Sequence, residues 1–143
     1  MSIYNLGMRT PTELASVFRE QGRKITPQRK LLFQLLHDNE THPTAESVYA
    51  MADAKLPGIS LRTVYQTLNE LAEMGEVQFI NVGTGAIRFD PNVEDHHHVV
   101  CDECGEVRDV RVKGVTKLNP TGADEFTITD VGVVFHGTCK KCK

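Results

Sequence analysis

The sequence has no apolar run near the roughly 20 residues that a membrane-spanning helix needs. Between Met1 and Met8 it also lacks the charged start and apolar stretch of a secretory leader. A cytoplasmic protein is therefore expected, and in that reducing compartment its four cysteines read as metal ligands rather than disulfides. Positive charge is not in excess: the formal net charge is −3, and residues 1–86 hold eight Lys/Arg against nine Asp/Glu. Bulk charge thus gives no sign of a polyanion-binding surface. The H-x-E…P-C-x-x-C array of a zinc deaminase is missing, and with it the open position and general base that catalytic zinc requires. The expectation is a protein that is not an enzyme. With 143 residues, the chain has room for one ordinary domain or two very small ones.

What is present is concentrated. The run from Asp95 to Gly105 holds His96, His97, His98, Cys101 and Cys104 among carboxylates, and a second Cys-x-x-Cys, Cys139 and Cys142, closes the sequence. Thiolates prefer zinc, whereas mixtures of imidazole and carboxylate suit iron, manganese, nickel or zinc. The two-residue gap lets one turn present both sulfurs of a pair. Cys101, Cys104, Cys139 and Cys142 therefore predict a closed structural Zn²⁺ site, with a small subdomain in the spacer, residues 105–138. A thioredoxin-like redox pair is the competing reading; it lacks a βαβ context and leaves the second pair unexplained. His96 and His98, two apart in a strand, share a face, whereas His97 is expected to point away as a surface residue.

The first half predicts four helices and a hairpin. Thr10-Pro11-Thr12-Glu13 is a capping box; Leu14, Val17 and Phe18 follow on one face, and Gly22 stops the helix. Thr26-Pro27 starts a second helix with Leu32, Leu35 and Leu36 inward. Thr44 caps a third with Val48, Met51 and Ala52, ending near Pro57-Gly58. Ser60 caps a fourth whose Leu61, Val64, Leu68 and Leu71 read as core, with Gly75 at its end. Val77–Val82, the turn at residues 83–85 and Ala86–Phe89 read as a hairpin. Together these elements predict a winged helix-turn-helix.

Beyond a hinge at residues 90–94, short β-like runs appear at 98–100, 106–112, 126–128 and 131–135, with a weakly helical stretch at 113–125. The expected class is α+β: a winged helix over residues 1–90, then a small α/β domain over 91–143 built on the four-cysteine zinc site. In the fourth helix, Arg62, Thr63, Tyr65 and Gln66 cluster where recognition helices touch bases. Gln66 suits adenine, and Tyr65 a thymine methyl or a phosphate. Arg23, Lys24 and Arg29, in a local basic cluster, suit phosphate contacts, and Arg88 on the wing suits the minor groove or backbone. A solvated helix face is the other reading of that cluster.

Several of these pieces, in this order, resemble the ferric uptake regulator (Fur) superfamily along nearly the whole chain. They are Ile25-Thr26-Pro27-Gln28-Arg29, His42-Pro43-Thr44-Ala45-Glu46, Thr63-Val64-Tyr65-Gln66-Thr67-Leu68, Arg88-Phe89-Asp90, the His96-to-Gly105 run and Cys139-x-x-Cys142. The resemblance implies a homodimeric, metal-dependent transcriptional repressor. Its C-terminal domain would dimerise, and its target would be double-stranded DNA with a near-palindromic, A/T-rich operator.

The peroxide-sensing (PerR-type) branch is the nearer one. It has aspartate at Asp90, where iron sensors commonly have glutamate, and Gln66 stands where they often carry arginine. That branch implies Fe²⁺ or Mn²⁺ held by His42, Asp90, His96, His98 and Asp109, with His42 and His96 open to iron-driven oxidation. Without the resemblance, His42 reads as a solvent-exposed loop histidine and Asp109 as an ion-pair partner of Arg108 or Arg111. Drawing ligands from both halves is also what a metal-switched binder needs, because the ion then biases one domain arrangement. Residues 128–133 lack the histidine that many relatives use in a third metal site, and Lys117 lies where a third-site carboxylate is expected. No third site is expected. Pro120 and Gly122 weaken the helix usual between the cysteine pairs. The alternative is an iron- or other metal-responsive regulator without peroxide sensing.

Overall fold

A computed structural model describes residues 8–37, 39–83, 85–92 and 96–143. Residues 1–7, where a leader was sought, lie outside the described residues, as do Thr84 of the wing turn, Val93 and Glu94 of the hinge, and Asp95. The chain forms two compact units, one up to Glu94 and one from Asp95 onward.

The first unit holds α1 (Pro11–Glu20), α2 (Pro27–Leu36), α3 (Ala45–Lys55) and α4 (Leu61–Glu73). Each starts on a hydroxyl that accepts a backbone N–H of the first turn. Thr10 accepts from Glu13 at 3.2 Å, Thr26 from Arg29 at 3.2 Å, Thr44 from Ser47 at 3.1 Å and Ser60 from Thr63 at 3.1 Å. Around Thr10 the box is closed: its N–H donates to the Glu13 carboxylate at 3.0 Å. Removing one such cap, Ser60→Ala, should cost about 1 kcal/mol. A fall of roughly 4–8 °C in the melting temperature of the first unit is the expected readout.

Leu14, Phe18, Leu32, Phe33, Leu36, Val48, Val64, Leu68 and Leu71 are fully buried and bring the four helices together. The rings of Phe18 and Phe33 meet edge-on, with centroids 5.0 Å apart. Two expectations shift. Leu61, read as core, is exposed, because a side chain in the first turn leans back over the cap rather than onto the packed face. Phe33 is fully buried beside Leu32, while Leu35 is only partly covered. The wing is shorter than its sequence run: β1 (Gln78–Ile80) pairs antiparallel with β2 (Arg88–Asp90), Phe79 opposite Phe89. Phe89 N–H donates to the Pro43 carbonyl at 2.9 Å, and Thr44 bridges to Arg88, so the wing's return strand is tied to the start of α3.

The second unit is a three-stranded sheet, order β4-β3-β5, with β3 (His97–Cys101) central, β4 (Val107–Val110) antiparallel and β5 (Val134–Gly137) parallel to it. β4 finishes at the end of the sheet where β5 starts, and residues 111–133 pass from one edge of the sheet to the other. Their regular structure is one 3₁₀ turn, Val115–Lys117; a second such turn, Lys140–Cys142, is capped by Cys139 and ends on Cys142. Phe126–Ile128 is not a strand: both side chains are exposed, and pairing with β3 begins only at Val134, opposite His98. His97 is not a surface residue either. It is buried, and its Nδ1 accepts the Val133 N–H at 3.1 Å, fixing the approach to β5. Among the described residues of this unit, the buried apolar side chains are Val100, Cys101 and Val107. So small a core generally needs a metal or a partner.

Candidate metal centres and DNA-reading face

Cys101 ends β3 and Cys104 lies in the turn beyond it, while Cys139 caps the last 3₁₀ turn and Cys142 ends it. Their four sulfurs lie within 4.8 Å of one another, and Cys104 and Cys139 are 3.7 Å apart. A tetrahedral zinc with bonds of about 2.3 Å sets sulfur–sulfur edges of about 3.8 Å, so the four thiols fit a closed Zn²⁺ site. The first knuckle turns on Gly105, whose φ of +79° suits glycine and whose N–H reaches the Cys101 carbonyl at 2.9 Å. In the second, Cys142 N–H meets the Cys139 carbonyl at 3.0 Å.

The backbone N–H groups of Cys104 and then Cys139 favour the Cys101 thiolate and lower its pKa to about 6. Hydrogen bonding with Cys139, then burial, pushes Cys142 up to about 12. A cation binding here displaces the proton that Cys142 retains. Around the site, Glu106 accepts Arg108 Nε at 2.8 Å and Lys141 Nζ at 3.3 Å, so it joins the two knuckles; Lys141 first, then Arg108, lowers its pKa. His136 Nδ1 sits 3.0 Å from Asp102, linking β5 to the first knuckle.

The other candidate ligands form a separate group in each unit. In the first unit, His42 Nε2 lies 3.3 Å from Asp90 Oδ2, and both residues are buried. Asp90 Oδ1 accepts the Asn92 N–H at 2.9 Å. His42 is 2 % exposed, so the solvent-exposed loop reading fails. Its φ is +54°, the left-handed region, directly before Pro43, where αL and αR backbone is disfavoured. Such a residue costs about 1–3 kcal/mol and persists only where its surroundings fix it. Here Arg88 donates to its carbonyl at 3.0 Å, and the bridge from Thr44 to Arg88 braces the same loop.

In the second unit, Asp109 Oδ1 is 3.2 Å from His96 Nε2 and 3.4 Å from His98 Nε2, with the two rings 4.6 Å apart. Strand pairing of His98 with Asp109 sets this geometry. Cis donors on a metal with bonds of about 2.1 Å lie about 3.0 Å apart in an octahedron and about 3.4 Å apart in a tetrahedron. Both groups fit such an ion. Arg108, offered as an alternative partner of Asp109, pairs with Glu106 instead, at 2.8 Å.

On the first unit, Arg62, Tyr65 and Gln66 of α4 are exposed, as is Lys24, while Thr63 is half-buried against its cap. Tyr65 OH donates to Glu46. Arg88 is turned inward to the His42 carbonyl. Arg23 and Arg29 converge on Glu70, with Arg29 Nη2 at 2.7 Å. Glu46 and Glu70 are partners of candidate DNA-reading residues that the sequence pattern did not single out. The available signal for Glu70 was its position one helical turn after Gln66, on the same face.

The sequence model of the ferric uptake regulator family matches residues 20–136. Over 133 residues the chain is 31% identical to the peroxide-responsive repressor PerR of Staphylococcus epidermidis, covering 92% of this chain and 89% of that protein. Its fold matches the Helicobacter pylori ferric uptake regulator Fur, with a TM-score of 0.73, 20% identity, and 92% and 89% of the two chains covered. It also matches a zinc-bound manganese uptake regulator, with a TM-score of 0.70, 28% identity, and 92% and 99% covered. With most of each unit and the residues of every candidate site except Cys139 and Cys142 inside the matched span, the chain belongs to the ferric uptake regulator family.

Proposed function

We propose that this protein is a metal-dependent DNA-binding transcriptional repressor that senses hydrogen peroxide. The observation carrying the reading is that each unit holds part of a His/Asp ligand set at metal-donor spacing, His42 with Asp90 and His96 with His98 and Asp109. One Fe²⁺ or Mn²⁺ drawing on all five would tie the DNA-binding unit to the second unit. Its binding free energy would then bias one domain arrangement. Iron held there supplies the redox chemistry, and His42 and His96 are the side chains it would expose to oxidation. Zn²⁺ on the four cysteines keeps the second unit folded. Likeness to a protein named as a peroxide-responsive repressor supports the branch.

Fur-family regulators bind DNA as dimers. In this reading α4 enters the major groove, with Arg62, Thr63, Tyr65 and Gln66 toward the bases. Lys24 lies toward the backbone, Arg23 beside it is paired with Glu70, and Arg29 is held by Glu70 and Arg88 by the His42 carbonyl; the operator is near-palindromic and A/T-rich. Exposed Leu118, Phe126, Ile128 and Phe135 on the second unit support a homodimer there. Phe126→Glu with Phe135→Glu is expected to give monomers in sedimentation, with zinc retained and operator binding lost. Dimers in that variant would place the interface elsewhere.

The deciding experiment is operator-fragment binding by zinc-loaded protein with added Mn²⁺ or Fe²⁺, before and after a low dose of peroxide. Both metals should switch binding on, and peroxide should abolish only the iron form, with one oxygen added to a His42 or His96 peptide. If peroxide leaves the iron form bound, the protein is a metal-responsive regulator without peroxide sensing.

A further inference from the structure

We infer that Glu70 is a built-in counter-ion that takes the place of a DNA phosphate and holds Arg23 in reserve, limiting how tightly the first unit grips DNA. The inference rests on the DNA-binding reading above. Arg23, from the loop after α1, and Arg29, from α2, both reach the one carboxylate of Glu70, which projects from the helix assigned to the major groove. Each guanidinium also lies over the Phe18 ring, at 5.7 and 5.3 Å.

The two arginines are not equivalent. Arg29 donates to Glu70 at 2.7 Å and to the Lys24 carbonyl at 2.8 Å, and its side chain is 14% exposed. It is an internal strut between α2 and α4. Arg23 pairs with Glu70, is 32% exposed, and follows Gly22, whose φ of +73° marks the turn after α1. It can leave Glu70 for a phosphate without dismantling the helix packing.

A carboxylate and a phosphate oxygen make the same fork-shaped demand on a guanidinium. Glu70 therefore occupies Arg23 where DNA would otherwise meet a free cation. The effect matters in this chain because residues 1–86 carry nine acids against eight Lys/Arg. With no surplus positive charge, neutralising one arginine on the reading face removes a large part of the sequence-independent attraction, while base contacts are untouched. Glu70 therefore favours specific, metal-switched binding over indiscriminate binding.

The test compares wild type, Glu70→Gln, Arg23→Ala and the double variant, all zinc-loaded with saturating Mn²⁺, on an operator fragment and on unrelated duplex over a salt series. Glu70→Gln is expected to bind unrelated duplex up to about fivefold tighter at low salt, the upper end for a solvent-screened charge pair. Its log–log salt slope should steepen by about 0.9, one more phosphate neutralised. Arg23→Ala should remove that gain in the Gln background and cost less in the Glu70 background, where the carboxylate already neutralises Arg23. Weaker binding by Glu70→Gln with an unchanged slope and an unchanged melting temperature would overturn the inference and make Glu70 a positioning residue for the arginines. If Glu70→Gln melts early, Arg23→Ala in the wild-type background decides: a slope shallower by about 0.9 shows Arg23 was free all along. If wild type binds neither duplex, it is the DNA-binding reading that fails.

Discussion

Cys101→Ser, or stripping of zinc by a strong chelator, is expected to unfold the second unit and abolish dimerisation and operator binding together. The size of the effect follows from how little else holds that unit. Its buried apolar side chains among the described residues are Val100, Cys101 and Val107, each contributing on the order of 1.5–3 kcal/mol at most. The connection at 111–133 loses backbone entropy on ordering yet has one 3₁₀ turn of regular structure to offset it. A structural zinc on four thiolates contributes about 10–16 kcal/mol of apparent binding free energy in small metal-folded domains. The cysteines also fix the sheet directly: Cys101 Sγ accepts the Cys139 N–H at 3.3 Å, joining the end of β3 to the segment after β5. Circular dichroism and sedimentation of the Cys101→Ser protein check this. Retention of a folded dimer without zinc would show that apolar contact between protomers, not the metal, stabilises the unit.

The second large effect is expected at the half-site in the first unit. His42→Ala and Asp90→Ala should each lose metal-activated operator binding by more than about 100-fold while keeping zinc and the dimer. Removing one ligand of a switch ion removes the differential affinity that biases the domain arrangement. His42 is the sharper probe because its backbone sits at φ +54°. Glycine adopts that conformation without strain, so His42→Gly should melt no lower than His42→Ala while being equally unresponsive to Mn²⁺. Comparing the two separates loss of a ligand from loss of the fold. A protein in which zinc is purely structural and no switch exists predicts instead that both substitutions bind DNA as well as wild type.

Much of this was legible in the sequence because it depends on local rules. A hydroxyl before each helix, glycine after two of them and leucines at helical spacing sufficed for the four helices of the first unit. Two Cys-x-x-Cys pairs sufficed for the zinc ligands, since chemistry and spacing both point to one metal. The errors share a cause: they lie where a partner outside the local segment decides. His97 looked like a surface residue from strand alternation, but the segment leading into β5 supplies the Val133 N–H that its ring accepts. Phe126 and Ile128 have the composition of a strand and no neighbouring strand to pair with among the described residues of the unit. Leu61 falls on the apolar face of α4 yet overhangs its end.

The thiols of the zinc site and the cap residues are written in the chain itself, because ligand type and short-range spacing need nothing beyond the order of the amino acids. The His/Asp set is reached only through the family resemblance, since His42 by itself reads as an exposed loop histidine and Asp109 as an ion-pair partner. Which of those groups are already committed to one another is a matter of packing. Folding placed His42 in a buried, left-handed turn against Asp90 and set Asp109 opposite His98. It also sent Arg88 to a carbonyl and gave both Arg23 and Arg29 to Glu70. Those pairings span separations of roughly ten to nearly fifty residues in the chain, as in the 46 between Arg88 and His42. Over such separations local propensity carries no information, and packing alone chooses the partner.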